Sequence, residues 1–314
     1  EETRVVIADD DNLIEFDVES SSKKQTKGNV YLAKVTRVEP SLQAAFVEYG
    51  SERQGFLPFS EIHPDYYQIP VADKEQLIAE QQKEDEEEAK EEEAAAEKKE
   101  KSEDEEEGVE ELESDDDIIE QPRRHKVKRY KIQEVVKKNQ VILIQVIKEE
   151  RGNKGASVTS YISLPGKYCV LMPNSTKGGG VSRKIGDVKE RKRLKSLVDG
   201  LDIHAGMSII LRTAGLDRTK AEITRDYNYL IRLWNTIREQ TLSSVAPSLV
   251  YEEASVIKRS LRDLYNSDIK EVHISGENVL KTAKEFMKMI MPSHAKNIKE
   301  YKEATPISVS YTHL

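Results

Sequence analysis

The run Ala44-Ala45-Phe46-Val47-Glu48-Tyr49-Gly50-Ser51-Glu52-Arg53-Gln54-Gly55-Phe56-Leu57-Pro58 reads as two short strands around a glycine turn. Apolar and polar residues alternate with the period of two that a half-buried strand requires. Phe46 and Phe56 occupy the two halves of this pattern. An OB-type barrel presents such rings along a basic groove, where each stacked base contributes roughly 1–3 kcal/mol. Strand phenylalanines are also common core residues, so the pattern alone leaves base stacking and burial as alternatives.

Outward from this run, Arg4–Ala8 and Leu13–Val18 form a hairpin about the polar turn Asp9–Asn12, and Asn29–Val38 continues with strand character. Val141–Ile147 resumes the strand pattern, which predicts one small barrel interrupted in sequence by a long insertion. Ser157–Leu164, Lys167–Met172 and Ser208–Leu211 are further β-rich segments, and Val188–Leu201 reads as a helix with Leu194, Leu197, Val198 and Leu201 on one face. Tyr227, Leu230, Trp234 and Ile237 share a helical stripe, which predicts a core position for the single tryptophan. Val256–Tyr265 and Glu277–Met291 read as helices and Ile269–Ser275 as a strand, the second helix being stopped by Pro292.

The chain has 314 residues and a formal charge of −9, which on its face disfavours a nucleic-acid partner. The charge is uneven: Lys83–Glu120 holds 22 Asp and Glu against 5 Lys, a net of −17, whereas the remainder holds 44 Lys and Arg against 36 Asp and Glu, a net of +8. A segment so acidic and so poor in aromatic and β-branched residues cannot offset its ordering entropy by burial, which predicts disorder over an insertion spanning 63–126. Arg123–Lys131 follows with six basic residues in nine, suited either to RNA phosphates or to neutralising the insertion in cis. The insertion is thus a candidate competitor of RNA, or a docking segment for a basic protein partner. Cys169 is the single cysteine, so an internal disulfide and a thiolate zinc site are excluded, in keeping with a reducing cytosol. No apolar run reaches the ~18 residues of a membrane span.

Two further features are weak on spacing alone. Gly178-Gly179-Gly180 ahead of Val181-Ser182-Arg183 suits either close backbone approach to a ligand or a mobile loop. Arg212-Thr213 at a strand end, beside Gly215, can grip a phosphate through charge-assisted bonds or form an ordinary surface salt bridge. Asp9, Asp10 and Asp11 are explained by a hairpin turn, and the six histidines form no metal or general-base constellation.

In this order the segments resemble the bacterial ribonuclease E/G endoribonucleases. The matching runs are Val5–Val18, Asn29–Tyr31, Val35–Ser41, Ala44–Leu57, Lys148–Ala156, Val170–Asn174, Gly179–Arg183 and Leu211–Gly215, collinear over nearly the whole chain. The resemblance implies an α+β, multi-subdomain architecture. An RNase H-like α/β subdomain (1–27 and 257–307) would receive an S1-type OB-fold barrel (28–160) and a 5′-sensor subdomain (161–256), leaving an atypical tail at 308–314. It implies RNA contact at Phe46, Phe56 and Lys154, and a 5′-monophosphate pocket built from Arg212, Thr213 and Arg183 with backbone at Gly166 and Val170. For the full-length enzyme it implies single-stranded RNA as substrate, RNA processing and mRNA decay as roles, and homo-oligomers. It further implies Mg2+ held by two aspartates and a Zn2+ shared between subunits, in a bacterial cytoplasmic protein compatible with peripheral association at the inner membrane. The aspartates and the zinc cysteines are expected beyond Leu314, so the fragment is expected to bind RNA without cleaving it and to need no cofactor. The competing readings are an OB-fold RNA-binding or ribosome-associated protein without nuclease activity, and an acidic scaffold.

Overall fold

The computed structural model describes residues 2–9, 12–20, 25–80 and 130–302, apart from 153, 176–178, 183, 205, 254 and 267. The expectations for residues 81–126 of the insertion, for Arg123–Arg129, for Asp10 and Asp11, for Arg183 and for the tail 308–314 lie outside the described residues. Disorder from residue 63 is not what the structure shows: 63–80 is folded, with a 3-10 turn at Pro64–Tyr66 and a helix over 71–80, because Tyr66, Tyr67 and Ile69 pack on the barrel core and Leu77 is buried. The chain divides into two units, Glu1–Gln25 with Glu253–Leu314, and Thr26–Glu252.

The larger unit is built on a barrel. β3 (Val30–Glu39), β4 (Ala44–Glu48), β5 (Gly55–Pro58), β6 (Val141–Lys148) and β7 (Ser157–Thr159) pair in the ring β3-β4-β5-β7-β6, which closes through β3–β6. Closure removes both sheet edges, and alternation sends every second side chain inward. Ala33, Val35, Ala45, Val47, Leu57, Ile142, Ile144 and Val158 fill the interior with no solvent exposure. The helical turn Ile132–Val135 closes one end with two buried side chains. β12 (Ser248–Tyr251) adds to the open side of β3, Leu249 opposite Tyr31.

A second sheet in this unit, in the order β10-β11-β9-β8, comprises β8 (Leu164–Pro165), β9 (Cys169–Met172), β10 (Gly180–Val181) and β11 (Ser208–Leu211). α1 (Val188–Asp199) and α2 (Lys220–Ser243) pack on it, burying Leu194, Val198, Ile223, Leu230 and Ile237 against Leu164, Leu171, Ile209 and Leu211. Thr219 and Glu222 form a capping box that starts α2. Trp234 is half-buried at the margin of this core rather than inside it. A ring that large is seldom enclosed completely when it lies on the flank of a helix's apolar stripe.

In the smaller unit, β1 (Glu2–Asp9) and β2 (Asn12–Ser20) form an antiparallel hairpin, while β13 (Val272–Ile274) and β14 (Ile298–Glu300) pair in parallel. α3 (Val256–Asp263) and α4 (Glu277–Ile290) supply its core through Val256, Leu261, Phe286, Met287 and Ile290. Glu19 accepts from the backbone N–H of Val256 at 3.0 Å, placing a carboxylate at the positive end of α3. Arg262 is buried between Glu253 and Asp263, at 2.7 and 2.8 Å, and the paired carboxylates raise its pKa further.

Candidate nucleic-acid interface and anion turn

Because Ala45, Val47 and Leu57 point into the barrel, Phe46 and Phe56 must point out. They are directly opposite each other in the β4–β5 register, half-buried, with ring centroids 5.9 Å apart in an edge-to-face arrangement. The burial alternative left open by the sequence is therefore not the one the barrel adopts: their faces flank the surface.

Across the other side of β4, Phe46 is opposite Arg37. This pairing depends on a bulge. The register shifts between Val35 and Arg37, so that Thr36 is the extra residue, and its hydroxyl donates to the Phe46 carbonyl at 2.9 Å. In an unbulged ladder Thr36 would oppose Phe46 and Arg37 would turn toward the interior beside Ala45. The bulge instead keeps Arg37 outside, with its guanidinium carbon 4.4 Å from the Phe46 ring centre. Arg37, Phe46 and Phe56 thus form one row across three strands. Arg37 lies within the run Val35–Ser41 but is not singled out there, since only the bulge aims it.

Lys154 enters from the loop between β6 and β7. Arg151 and Lys154 exchange backbone hydrogen bonds at 3.2 and 3.0 Å, and Gly152 between them has φ +58°. The loop is tied to the β4–β5 turn: Glu150 accepts from the Tyr49 hydroxyl at 2.9 Å and from Ser51, and Arg53 donates to the Gly152 carbonyl. Burial and the nearby Glu150 push the Tyr49 phenol up to about 12, so it remains a donor. At Gly155 the chain passes so close to Gln54 that a Cβ would lie 2.0 Å from its carbonyl oxygen. Arg37, Phe46, Arg53, Gln54 and Gly155 line an open cavity of about 440 Å³, with Lys154 exposed next to Gly155.

The second group of candidate residues lies on the β8–β9–β11 sheet of the same unit. Arg212 follows β11, is buried, and donates from Nη1 to the Gly166 carbonyl at 2.7 Å; its backbone N–H donates to Tyr168 at 2.9 Å. Thr213, half-buried, opens a short 3-10 turn, Thr213–Gly215. Val170 lies in β9 with Ile210 and Pro165 as register partners. Gly166, Val170, Arg212 and Thr213 are therefore gathered around the β8–β9 turn, and Arg183 lies outside the described residues.

The turn itself hangs on a residue the sequence did not single out. Asp226 of α2 is 2% exposed and accepts from the backbone N–H groups of Lys167, Tyr168 and Cys169 at 3.1, 2.8 and 3.1 Å, and from the Cys169 thiol at 3.4 Å. Burial raises its pKa despite those bonds, and burial with the adjacent Asp226 raises that of the thiol. Gly166 is forced here, because a Cβ would meet Asp226 Oδ2 at 2.5 Å. Arg218 and Lys167 flank the Tyr168 ring at 5.8 and 5.6 Å, adding cations beside the turn.

Among the described residues no three His, Cys, Asp or Glu side chains converge on a metal position. With Cys169 buried and bonded to Asp226, the donors among the described residues do not fit the Mg2+ or Zn2+ implied for the full-length enzyme. Nor, among the described residues, is any helix long and apolar enough to cross a membrane.

Residues 24–99 match the S1 RNA binding domain and residues 163–313 the Ribonuclease E/G family. The chain is 35% identical to ribonuclease E of Haemophilus influenzae over 99% of its own length and 28% of that protein's. The figure is 33% for ribonuclease E of Escherichia coli, with 99% and 24% covered, and 29% for ribonuclease G of Haemophilus influenzae, with 98% and 52% covered. The chain thus spans about a quarter of the ribonuclease E relatives and about half of the ribonuclease G relative. With an S1 RNA-binding barrel leading into the matched family segment, this chain belongs to the ribonuclease E/G family.

Proposed function

We propose that the chain is the RNA-binding, 5′-end-reading part of a single-strand-specific endoribonuclease acting in RNA processing and mRNA decay. The observation that carries this reading is the outward row Arg37–Phe46–Phe56, with Arg37 and Phe46 lining a cavity together with Arg53, and with Lys154 exposed next to the cavity residue Gly155. Unstacked bases find aromatic faces there, and the strand's phosphates find cations. A duplex hides its base faces, so single strands are the fitting ligand.

A 5′-monophosphate is assigned to the turn held by Asp226. Arg212 and Thr213 supply charge-assisted and neutral bonds, with Arg183 and the backbone at Gly166 and Val170 completing the pocket, and a triphosphate is disfavoured by its bulk and charge. The two-unit division supports naming the larger unit as barrel plus 5′ sensor and the smaller as RNase H-like. Phosphodiester hydrolysis, with its metal and homo-oligomeric assembly in the bacterial cytoplasm, is assigned to the parent enzyme, and the present residues bind and orient RNA.

The test is quantitative binding of short single-stranded RNAs carrying 5′-phosphate or 5′-hydroxyl, across a salt series, to the unmodified chain and to Arg212→Ala. The unmodified chain prefers the phosphate and the variant does not. Equal affinity for both ends in the unmodified chain would contradict the sensor reading, and Mg2+-dependent cleavage by the chain alone would contradict its assignment as a binding part.

A further inference from the structure

We propose that a second groove of the barrel, lined by Thr36, Arg37, Gln133, Lys137 and Lys138, binds the phosphodiester backbone of the same RNA strand whose bases stack on Phe46 and Phe56. This rests on the stacking reading above. The groove measures about 540 Å³ and is also lined by Val38 and Val136. Its lining holds three cations and no carboxylate, which suits a polyanion. Arg37 lines this groove and the phenylalanine cavity alike, so the two adjoin at one side chain.

The lysines stand on a built turn. Asn139 donates its backbone N–H to the Val35 carbonyl at 2.7 Å, and Val35 donates to the Gln140 carbonyl at 2.8 Å. The Gln140 side chain accepts from the Lys137 N–H at 3.2 Å and donates to the Tyr66 carbonyl at 2.5 Å. Asn139 takes φ +68°, a left-handed conformation that asparagine tolerates better than most residues. Val35 is the residue at which the Thr36 bulge begins. The same short stretch of β3 therefore fixes Arg37 over Phe46 and anchors the turn bearing Lys137 and Lys138. Both lysines are exposed and face no structural constraint that replacement would break. An OB fold engages about 4–16 nucleotides, and the groove provides the path for those beyond the phenylalanine row.

The test compares four- and twelve-nucleotide oligouridylates on the full chain, its Lys137→Gln/Lys138→Gln variant and its Phe46→Ala variant, over a salt series. For single strands each phosphate contact contributes about 0.7 to the slope of log Kobs against log salt, so the double variant should lower the twelve-mer slope by about 1.4. Its four-mer affinity should stay within about twofold of the unmodified chain, the phenylalanine row being untouched. An unchanged twelve-mer slope in the double variant, with Phe46→Ala weakening both RNAs, would overturn the groove alone. Unweakened binding of both RNAs by Phe46→Ala would overturn the stacking reading beneath it. Poly-glutamate competing as well as twelve-mer RNA for the unmodified chain, and failing to bind the double variant, would reassign the groove to an acidic protein segment and overturn the proposal.

Discussion

Replacing Asp226 with alanine should cost more than any surface change in this unit. Its carboxylate serves three backbone N–H groups at 2.8–3.1 Å in a site with almost no solvent exposure. A buried donor left without acceptor costs about 1–3 kcal/mol, so three give roughly 3–9. Relief of the buried charge and entry of water into the vacated space reduce this, and a net loss of about 3–5 kcal/mol is expected. Against a typical total of about 5–15 kcal/mol this is severe. Asp226→Asn keeps the shape and one acceptor oxygen but turns a donor toward at least one backbone N–H, for a loss of about 1–3 kcal/mol.

The assay is urea unfolding of the chain and both variants, read as a midpoint shift at constant slope, with hydrogen exchange of the amides at 167–169. The pH dependence adds a sign. Because burial raises the Asp226 pKa, its favourable contribution is complete below the ordinary carboxylate value of about 4 and is lost as pH rises through the shifted value. The advantage of the unmodified chain over Asp226→Asn should therefore be largest at the acidic end and shrink with rising pH. An advantage that grows as the carboxyl ionises would refute burial as the dominant influence. A loss below about 0.5 kcal/mol for Asp226→Ala would refute the anchoring role altogether.

Gly155→Ala should destabilise by about 1–3 kcal/mol and weaken RNA binding, because its Cβ would lie 2.0 Å from a backbone oxygen and the Lys154 loop must move; calorimetry with RNA titration measures both. Arg37→Ala should destabilise by no more than about 0.5–1 kcal/mol, the value of an exposed cation over an aromatic face, and should lower the slope of log Kobs against log salt for single-stranded RNA by about 0.7, the value of one phosphate contact; urea unfolding and a salt series measure the two. Arg262→Ala should cost about 3–5 kcal/mol, since Glu253 and Asp263 would keep their charges in a largely buried place without a partner; thermal unfolding followed by circular dichroism checks it.

Much of the barrel was legible because its strands alternate. In Ala44–Glu48, Ala45 and Val47 point in and Phe46 out, so period two alone places the ring on a face, although it does not say which face is solvent. The helices α2 and α4 were equally visible through their apolar stripes, Tyr227–Leu230–Ile237 and Phe286–Met287–Ile290. What stayed hidden depends on register and on long-range pairing. Arg37 reaches Phe46 only through a bulge that Thr36 absorbs, and no residue pattern announces that choice. Ser248–Tyr251 joins β3 across more than two hundred residues of sequence. Asp226 interrupts the apolar stripe of Ile223, Tyr227 and Leu230, a signal in the sequence that something must satisfy a buried carboxyl, but the three backbone donors near residue 168 that do so are long-range and carry no pattern. The phosphate candidates Arg212 and Thr213 were visible as a dipeptide, but the contact of Arg212 with Gly166 is set by the β9–β11 pairing.

If a single RNA strand lays its bases on the outer phenylalanine row of the barrel, photo-crosslinking of a 4-thiouridine-substituted single-stranded RNA to the unmodified chain, followed by peptide mass spectrometry, should give crosslinks concentrated on Phe46 and Phe56 that disappear under excess unlabelled RNA. Efficient, competable crosslinks confined to peptides outside 30–58 and 137–155 would contradict it.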